Sequence, residues 1–255
     1  MNLQARAELG STLRSRSQIA RVVTEDWCGR EMYCPACDVQ SLAKTRPGSP
    51  SCDFICIRCE ERYELKNCKH RFGIRIPDSA YASMLAAIRS DRTPNLLAIQ
   101  YSPTFSIVNL FVVPRYFITE NVIEKRPPLG THARRAGWIG CNILLSRIPI
   151  DGRITVVREG VPAASPDVQT LFLRAKQLRK LPATSRGWTV DVLNAIRSLG
   201  ATEFSLADVY RFETHFAESH ATNRNIKAKI RQQLQVLRDL GFLAFVAPGR
   251  YRIIA

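Results

Sequence analysis

The chain has 255 residues, 45% of them hydrophobic, with a formal net charge of +15; that is enough for one core of ordinary size plus a smaller domain. No window of about 18 uninterrupted apolar residues occurs, and the opening MNLQARAELGSTLRSRS has no apolar secretory stretch, which argues against a membrane or exported protein and points to the cytoplasm. Arg outnumbers Lys by 29 to 8, and residues 121–181 carry +7 against +4 for 1–120 and +4 for 182–255, a basic surface built from the forked donor that suits phosphate and guanine, so a polyanion is the expected partner.

Taken in order, residues 17–27 place Ile19, Val22, Val23 and Trp27 on one helical face behind a Ser17 cap. A zinc ribbon is expected from about 32 to 62, followed by a strand end at Tyr63–Lys66. DSAYASMLAAIRS (78–90) predicts a second helix, capped by Asp78 or Ser79, with Tyr81, Met84, Leu85 and Ile88 inward. LLAIQY and FSIVNLFVVP predict strands buried on both faces. RITVVRE (153–159) predicts another strand and 166–181 a helix, so strands alternate with helices over 1–181.

Pro182 to Arg186 suggests a linker. Beyond it, Thr189 can cap a helix through Leu199, and Ser205 with Asp208 forms a capping-box-like start for a second. Residues 223–241 form a third, with Ile226, Ile230, Leu234 and Leu237 on one stripe, and two short strands surround Ala247-Pro248-Gly249. Three helices and a β-hairpin over 182–255 make the layout of a winged helix.

The chemistry concentrates between residues 34 and 66. Cys34-Pro-Ala-Cys37 and Cys56-Ile-Arg-Cys59 give C-x2-C-x18-C-x2-C, a structural zinc spacing in which four cysteinates leave no open position. The remaining Cys28, Cys52, Cys68 and Cys141 read as small buried hydrophobes, with Cys52 and Cys68 near enough to replace a ligand. If the second knuckle is the tip of a hairpin, Asp53 lies on the descending strand, and Glu64 and Lys66 share one face of the returning one. Two carboxylates on neighbouring strands suit Mg²⁺, with a lysine beside them to orient or deprotonate a water. Such a constellation suits phosphodiester hydrolysis. The four histidines, His70, His132, His215 and His220, are scattered and give no support to a histidine-based site.

These residues carry a resemblance. The order helix, Asp53, ELK, helix, strands resembles the PD-(D/E)xK nuclease superfamily, although Pro50 stands three residues before Asp53 instead of beside it. More specifically, from about Ser17 onward the chain is similar to the DpnI-type restriction endonucleases, through TEDW (24–27), both CxxC pairs, ELK (64–66), ARRAGWIGCNI (133–143), SRGWT (185–189) and KIRQQLQVLRD (229–239). The resemblance implies an α/β PD-(D/E)xK core with an embedded four-cysteine zinc ribbon over 1–181 and a winged-helix DNA-binding domain over 182–255. It implies a Mg²⁺-dependent type II enzyme that cuts double-stranded GATC when its adenine is N6-methylated. Asp53, Glu64 and Lys66 would be catalytic, Asp53, Glu64 and the Leu65 carbonyl would hold Mg²⁺, and Cys34, Cys37, Cys56 and Cys59 structural Zn²⁺.

A winged helix normally places its third helix in the major groove, where adenine N6 is displayed. With the apolar stripe inward, Asn223, Arg224, Asn225, Lys227, Ala228, Arg231, Gln232 and Gln235 are the candidates for DNA contact. In ARRAGWIG (133–140), Arg134 and Arg135 suit a backbone clamp and Trp138, flanked by glycines, an exposed stacking or wedging ring; Trp188 is assigned to packing. Burying one methyl group contributes only about 0.8 kcal/mol, so strict methyl selectivity requires either more than one readout, for example by both domains, or a methyl-dependent step before cleavage. Two other readings stay open: a zinc-stabilised winged-helix regulator that cuts nothing, and a nuclease for unmodified or differently modified sites. Nothing in the pattern is a coiled coil, which favours a monomer nicking each strand in turn.

Overall fold

The structure, a computed structural model, describes residues 1–46 and 52–254; Pro50 lies outside the described residues. Helix α1 (Arg16–Glu31) buries Ala20, Val23, Trp27 and Cys28. It is longer than predicted, and its cap position is Ser15; the Ser15 and Ser17 hydroxyls bond each other at 2.9 Å, so neither caps a backbone N–H. There follow β1 (Ala43–Lys44), β2 (Phe54–Ile55), β3 (Arg62–Cys68), β4 (Arg75–Ala80), α2 (Tyr81–Arg89), β5 (Asn95–Tyr101), β6 (Ile107–Val113), β7 (Ile123–Lys125), β8 (Gly140–Leu144), β9 (Ile154–Arg158), β10 (Val161–Pro162) and α3 (Ser165–Ala175). The last of these stops six residues short of the predicted end and tightens into a 3-10 turn at Lys176–Lys180.

The main sheet has the order β1-β2-β3-β5-β6-β9-β10. Among the described residues only β3 and β5 pair in parallel, and the chain between them runs through β4 and α2, the kind of crossover a parallel pair requires. Tyr63 and Leu65 of β3 share one face with Asn95, Leu97 and Ile99 of β5 by register, and this face meets α1. The opposite face carries Glu64 and Lys66. A second sheet, β4-β8-β7, sits beside α2.

Residues 182–186 are not a linker. Helix α4 (Ala183–Ser198) starts directly after Pro182, whose fixed φ suits a helix start, and Arg186 is buried within it. The Arg186 guanidinium donates to the Leu178 carbonyl and pairs with Asp91. Thr189 lies inside the helix, its hydroxyl donating to Gln233 Oε1 at 2.6 Å, and caps nothing. Then come β11 (Glu203–Ser205), α5 (Leu206–Tyr210), α6 (Glu213–Ser219), α7 (Ile226–Asp239), β12 (Leu243–Ala247) and β13 (Arg250–Ile253). The capping box is present: Ser205 Oγ accepts from Asp208 N–H while the Asp208 carboxylate accepts from Ser205 N–H. The segment predicted as one helix after it breaks at Arg211-Phe212 into α5 and α6, and β11 adds a third strand to the hairpin, in the order β11-β13-β12.

This C-terminal unit is fastened to the rest. Arg197 Nε donates to Asp151 at 2.7 Å, Asn121 Nδ2 donates to Asp191 at 2.6 Å, and His220 Nε2 lies 2.8 Å from the same Asp191 oxygen. Phe117 meets Phe242 edge to face at 6.5 Å. Trp188 stacks on His220 with ring centres 3.8 Å apart, a packing role as expected. Among the described residues no helix is long and apolar enough to cross a membrane.

Candidate active site and DNA-facing surfaces

The four Sγ atoms of Cys34, Cys37, Cys56 and Cys59 all lie within 4.8 Å of one another. Cys34 is 3.5 Å from Cys59 and Cys37 3.5 Å from Cys56. A tetrahedral ion with Zn–S bonds of about 2.3 Å needs sulfurs roughly 3.8 Å apart, so the set fits Zn²⁺. Burial opposes it, but the backbone N–H groups of Cys59 and Arg58 bring the Cys56 thiol down to about 7, toward the thiolate that a metal binds. Cys52 and Cys68 are not part of the cluster; their thiols donate to the carbonyls of Phe54 and His70. Cys28, Cys52 and Cys141 are buried, and Cys68 is half-buried.

This knuckle sits at the bend between β2 and β3. Phe54 pairs with Tyr63 and Ile55 with Arg62, and Asp53 N–H donates to the Tyr63 carbonyl at 2.9 Å. Asp53 also stands close enough to Glu64 for its charge to act on that carboxyl. Asp53 Oδ2 accepts from Leu65 N–H at 2.7 Å. The N–H and C=O of one strand residue point to the same edge, so the Leu65 carbonyl faces the Asp53 side too. Lys66 Nζ donates to Glu64 Oε1 at 2.6 Å. Asp53, Glu64, Leu65 and Lys66 are thus brought together at one end of the hairpin.

A further acid stands beside them. Asp78 Oδ1 accepts from Lys66 Nζ at 2.8 Å and from Ser79 N–H at 2.7 Å, and its side chain is 1% exposed. Asp78 therefore caps no helix: it lies in β4, paired with Cys141 of β8, and α2 begins three residues later behind Ala80. Its other oxygen, Oδ2, is buried without a hydrogen-bond partner among the described residues. Burial, and then the nearby Asp78 charge, pushes Glu64 up to about 7. Burial works against the Lys66 ammonium, but Glu64 and Asp78 outweigh it and hold the lysine in its charged form. Glu64 and Asp78 share the one lysine, and Asp53 stands beside them on the Leu65 N–H. Such an excess of buried negative charge, with hard oxygen donors and an orphaned carboxylate oxygen, fits a divalent cation of the Mg²⁺ kind.

Between β7 and β8 the chain makes a closed excursion: Leu129 N–H donates to the Trp138 carbonyl and Gly137 N–H to the Leu129 carbonyl, both at 2.9 Å. Gly137 has a φ of +77°, the left-handed turn that returns the chain. Arg134 and Arg135 are exposed there. Trp138 is half-buried instead of exposed, because its ring lies over Gly140, where a Cβ would come within 2.6 Å of it, and under the Arg135 guanidinium at 5.2 Å. On α7 the apolar stripe Ile226, Ile230, Leu234 and Leu237 is buried. Arg224, Asn225, Lys227, Ala228, Arg231, Gln232 and Gln235 are exposed and Asn223 half-buried. Asn223, Arg224 and Asn225 precede the helix, so they extend from its positive end. Arg231 donates to the Tyr210 hydroxyl at 2.8 Å, and Lys227 Nζ is 3.4 Å from Glu213.

A zinc-type knuckle beside an acid-rich hairpin, joined to a helix-turn-helix unit, has a counterpart among known sequences. The profile of the DpnI type described as the Dam-replacing family matches residues 1–181, and that of the Dam-replacing HTH domain matches residues 184–253. The chain belongs to this family. Membership in the Dam-replacing family and possession of its HTH domain support a methyl-directed restriction enzyme with a DNA-binding module. Asp78 is the one residue of the acid cluster that sequence reasoning assigned elsewhere; an Asp-Ser pair ahead of an apolar periodic run is the same local signal as a helix cap.

Proposed function

We propose that this Dam-replacing family member is a methyl-directed type II restriction endonuclease with a PD-(D/E)xK core, which hydrolyses double-stranded DNA at GATC containing N6-methyladenine in a Mg²⁺-dependent reaction. The observation that carries the reading is the hairpin on which Asp53, Glu64 and Lys66 converge. Asp53, Glu64 and the Leu65 carbonyl would hold the cation; once bound, it neutralises charge developing on the phosphate and makes a neighbouring water more acidic. Lys66, kept as an ammonium by Glu64 and Asp78, donates hydrogen bonds at the reacting phosphate and orients the attacking water instead of deprotonating it. Asp78 fixes the lysine. The closed four-cysteine knuckle holds Zn²⁺ structurally and sets the hairpin register that brings Asp53 to Glu64. We place α7 and the residues just before it in the major groove, and the Arg134-Arg135-Trp138 excursion against the backbone and a base step, with both domains reading methyl groups. A monomer acting on one strand at a time, in the cytoplasm, completes the proposal.

The test is incubation with plasmid from adenine-methylating and non-methylating hosts, with and without Mg²⁺. Cleavage is expected only with methylated plasmid and Mg²⁺. Equal cutting of both plasmids discards methyl reading. Asp53→Ala and Lys66→Ala should abolish cleavage and keep DNA binding; variants that cut normally discard the assigned site.

A further inference from the structure

The sheet face that carries Glu64 and Lys66 continues outward into an arginine-rimmed cavity. By register Lys66 pairs with Ala98, Ala98 with Phe111 and Phe111 with Thr155, while Cys68 pairs with Gln100 and Gln100 with Asn109. Paired residues point to one side of a sheet, so Gln100, Asn109, Phe111 and Thr155 floor the cavity on the catalytic side. Its volume is about 440 Å³. Phe72 forms one wall, edge-on to Phe111 at 5.7 Å and 80°. Arg71, Arg153 and Arg158 line the rim.

The rim is poised for an anion. Arg153 and Arg158 are exposed, and neither makes an ion pair among the described residues; Arg158 reaches only the Thr155 hydroxyl, at 3.4 Å. Arg71 pairs with Glu159 at 3.2 Å, but both side chains are well exposed, and such pairs contribute little. On the floor, Asn109 Nδ2 donates to Gln100 Oε1 at 2.7 Å. Three spacings of about 4.8 Å separate β3 from β9, about 14 Å from the lysine, which is at most about four nucleotide steps because each advances at least the 3.4 Å axial rise.

We propose that this cavity receives the flanking backbone of the cut DNA strand, with Arg153 and Arg158 on phosphate oxygens within about four nucleotides of the scissile bond and a sugar against Phe72 and Phe111. The assignment rests on the nuclease reading above, since it takes Lys66 as the point of cleavage.

The experiment compares the full chain, Arg153→Ala/Arg158→Ala and Lys66→Ala, titrated by fluorescence anisotropy with a methylated duplex in 50–200 mM salt and no added divalent cation. Each arginine that neutralises a phosphate contributes about 0.9 to the slope of log affinity against log salt; the double variant should therefore lose about 2 from that slope. Neutral methylphosphonates within four steps of the cut should weaken the parent chain and leave the double variant unchanged. An unaltered slope with unaltered methylphosphonate sensitivity overturns the cavity's role, even where Lys66→Ala has lost cleavage and the nuclease reading stands. Conversely, a lowered slope in a chain that cuts no DNA keeps the cavity as a DNA contact and defeats the nuclease reading alone. Both side chains are exposed, so the double variant should keep the parent's melting temperature.

Discussion

Gly140→Ala isolates the position of Trp138 from its presence. A Cβ at residue 140 would stand 2.6 and 2.7 Å from two carbons at the far edge of the indole, where ordinary carbon contacts are about 3.5–4.0 Å. The ring must therefore retreat by roughly 1 Å. The backbone accepts alanine, since Gly140 opens β8 without a left-handed φ, and the displaced atoms are the end of a half-buried side chain. Stability should fall by about 1 kcal/mol or less, a shift in melting temperature of about 2–4 °C for a chain of this size. If the ring stacks on DNA, Trp138→Ala should cost about 1–3 kcal/mol, roughly 5- to 150-fold, and a misplacement of about 1 Å can approach a 100-fold loss. The assay is single-turnover cleavage of a methylated GATC duplex by both variants, with melting measured alongside. Gly140→Ala cutting at the parent rate while its indole fluorescence reports a displaced ring would refute the argument.

Other outcomes follow from the same contacts. Asp78→Ala should lower the turnover rate by about 10- to 100-fold, the range for residues that orient a reacting group, with KM for DNA unchanged and Asp78→Asn partly restored; parent-like turnover of the alanine variant rules out the positioning role. Removing the metal with a strong chelator should release zinc, loosen the β2–β3 bend and abolish cleavage, since a structural zinc contributes folding free energy; metal analysis and circular dichroism report it, and a zinc-free chain cutting normally in Mg²⁺ contradicts it. Asp91 is held below the usual carboxylate range: burial raises it, but the Arg186 hydrogen bond and the charges of Arg115 and Arg186 outweigh that. Its contribution is thus present above the unfolded pKa of about 3.9 and lost as pH falls through the lower folded value. Acid melts should show a steeper loss of stability below pH ~4 in the parent chain than in Asp91→Asn, and identical profiles would remove Asp91 from the account.

Local chemistry was the most legible part of the sequence. The CxxC pairs were readable because each knuckle is one turn of chain, and the side-by-side projection of Glu64 and Lys66 follows from strand alternation alone. Ser205 and Asp208 announced their capping box for the same reason. What escaped notice depends on partners far along the chain. Asp78 looks like a cap until β4 pairs with β8 and brings it to Lys66. Pro182-Ala-Thr-Ser-Arg reads as loop composition, but Asp91 and the Leu178 carbonyl draw Arg186 inward and the helix forms around it. Trp138 looked exposed between two glycines, yet one of those glycines is the space its ring fills. The cavity floor is spread over β5, β6 and β9, and no short motif joins those strands.

The absence of slack between α3 and α4 bears on how such a chain measures its target. With Arg186, Asp191 and Arg197 all anchored to the preceding domain, the helix proposed to read the groove and the acid-lined hairpin would act as two jaws of one caliper. On a duplex that turns once in about 10.5 base pairs, moving the modified base by a single step rotates it by about a tenth of a turn away from the jaw that should meet it. On the proposed reading, spacing and helical phase would then be checked by the rigidity of the protein, with no additional contact to a base.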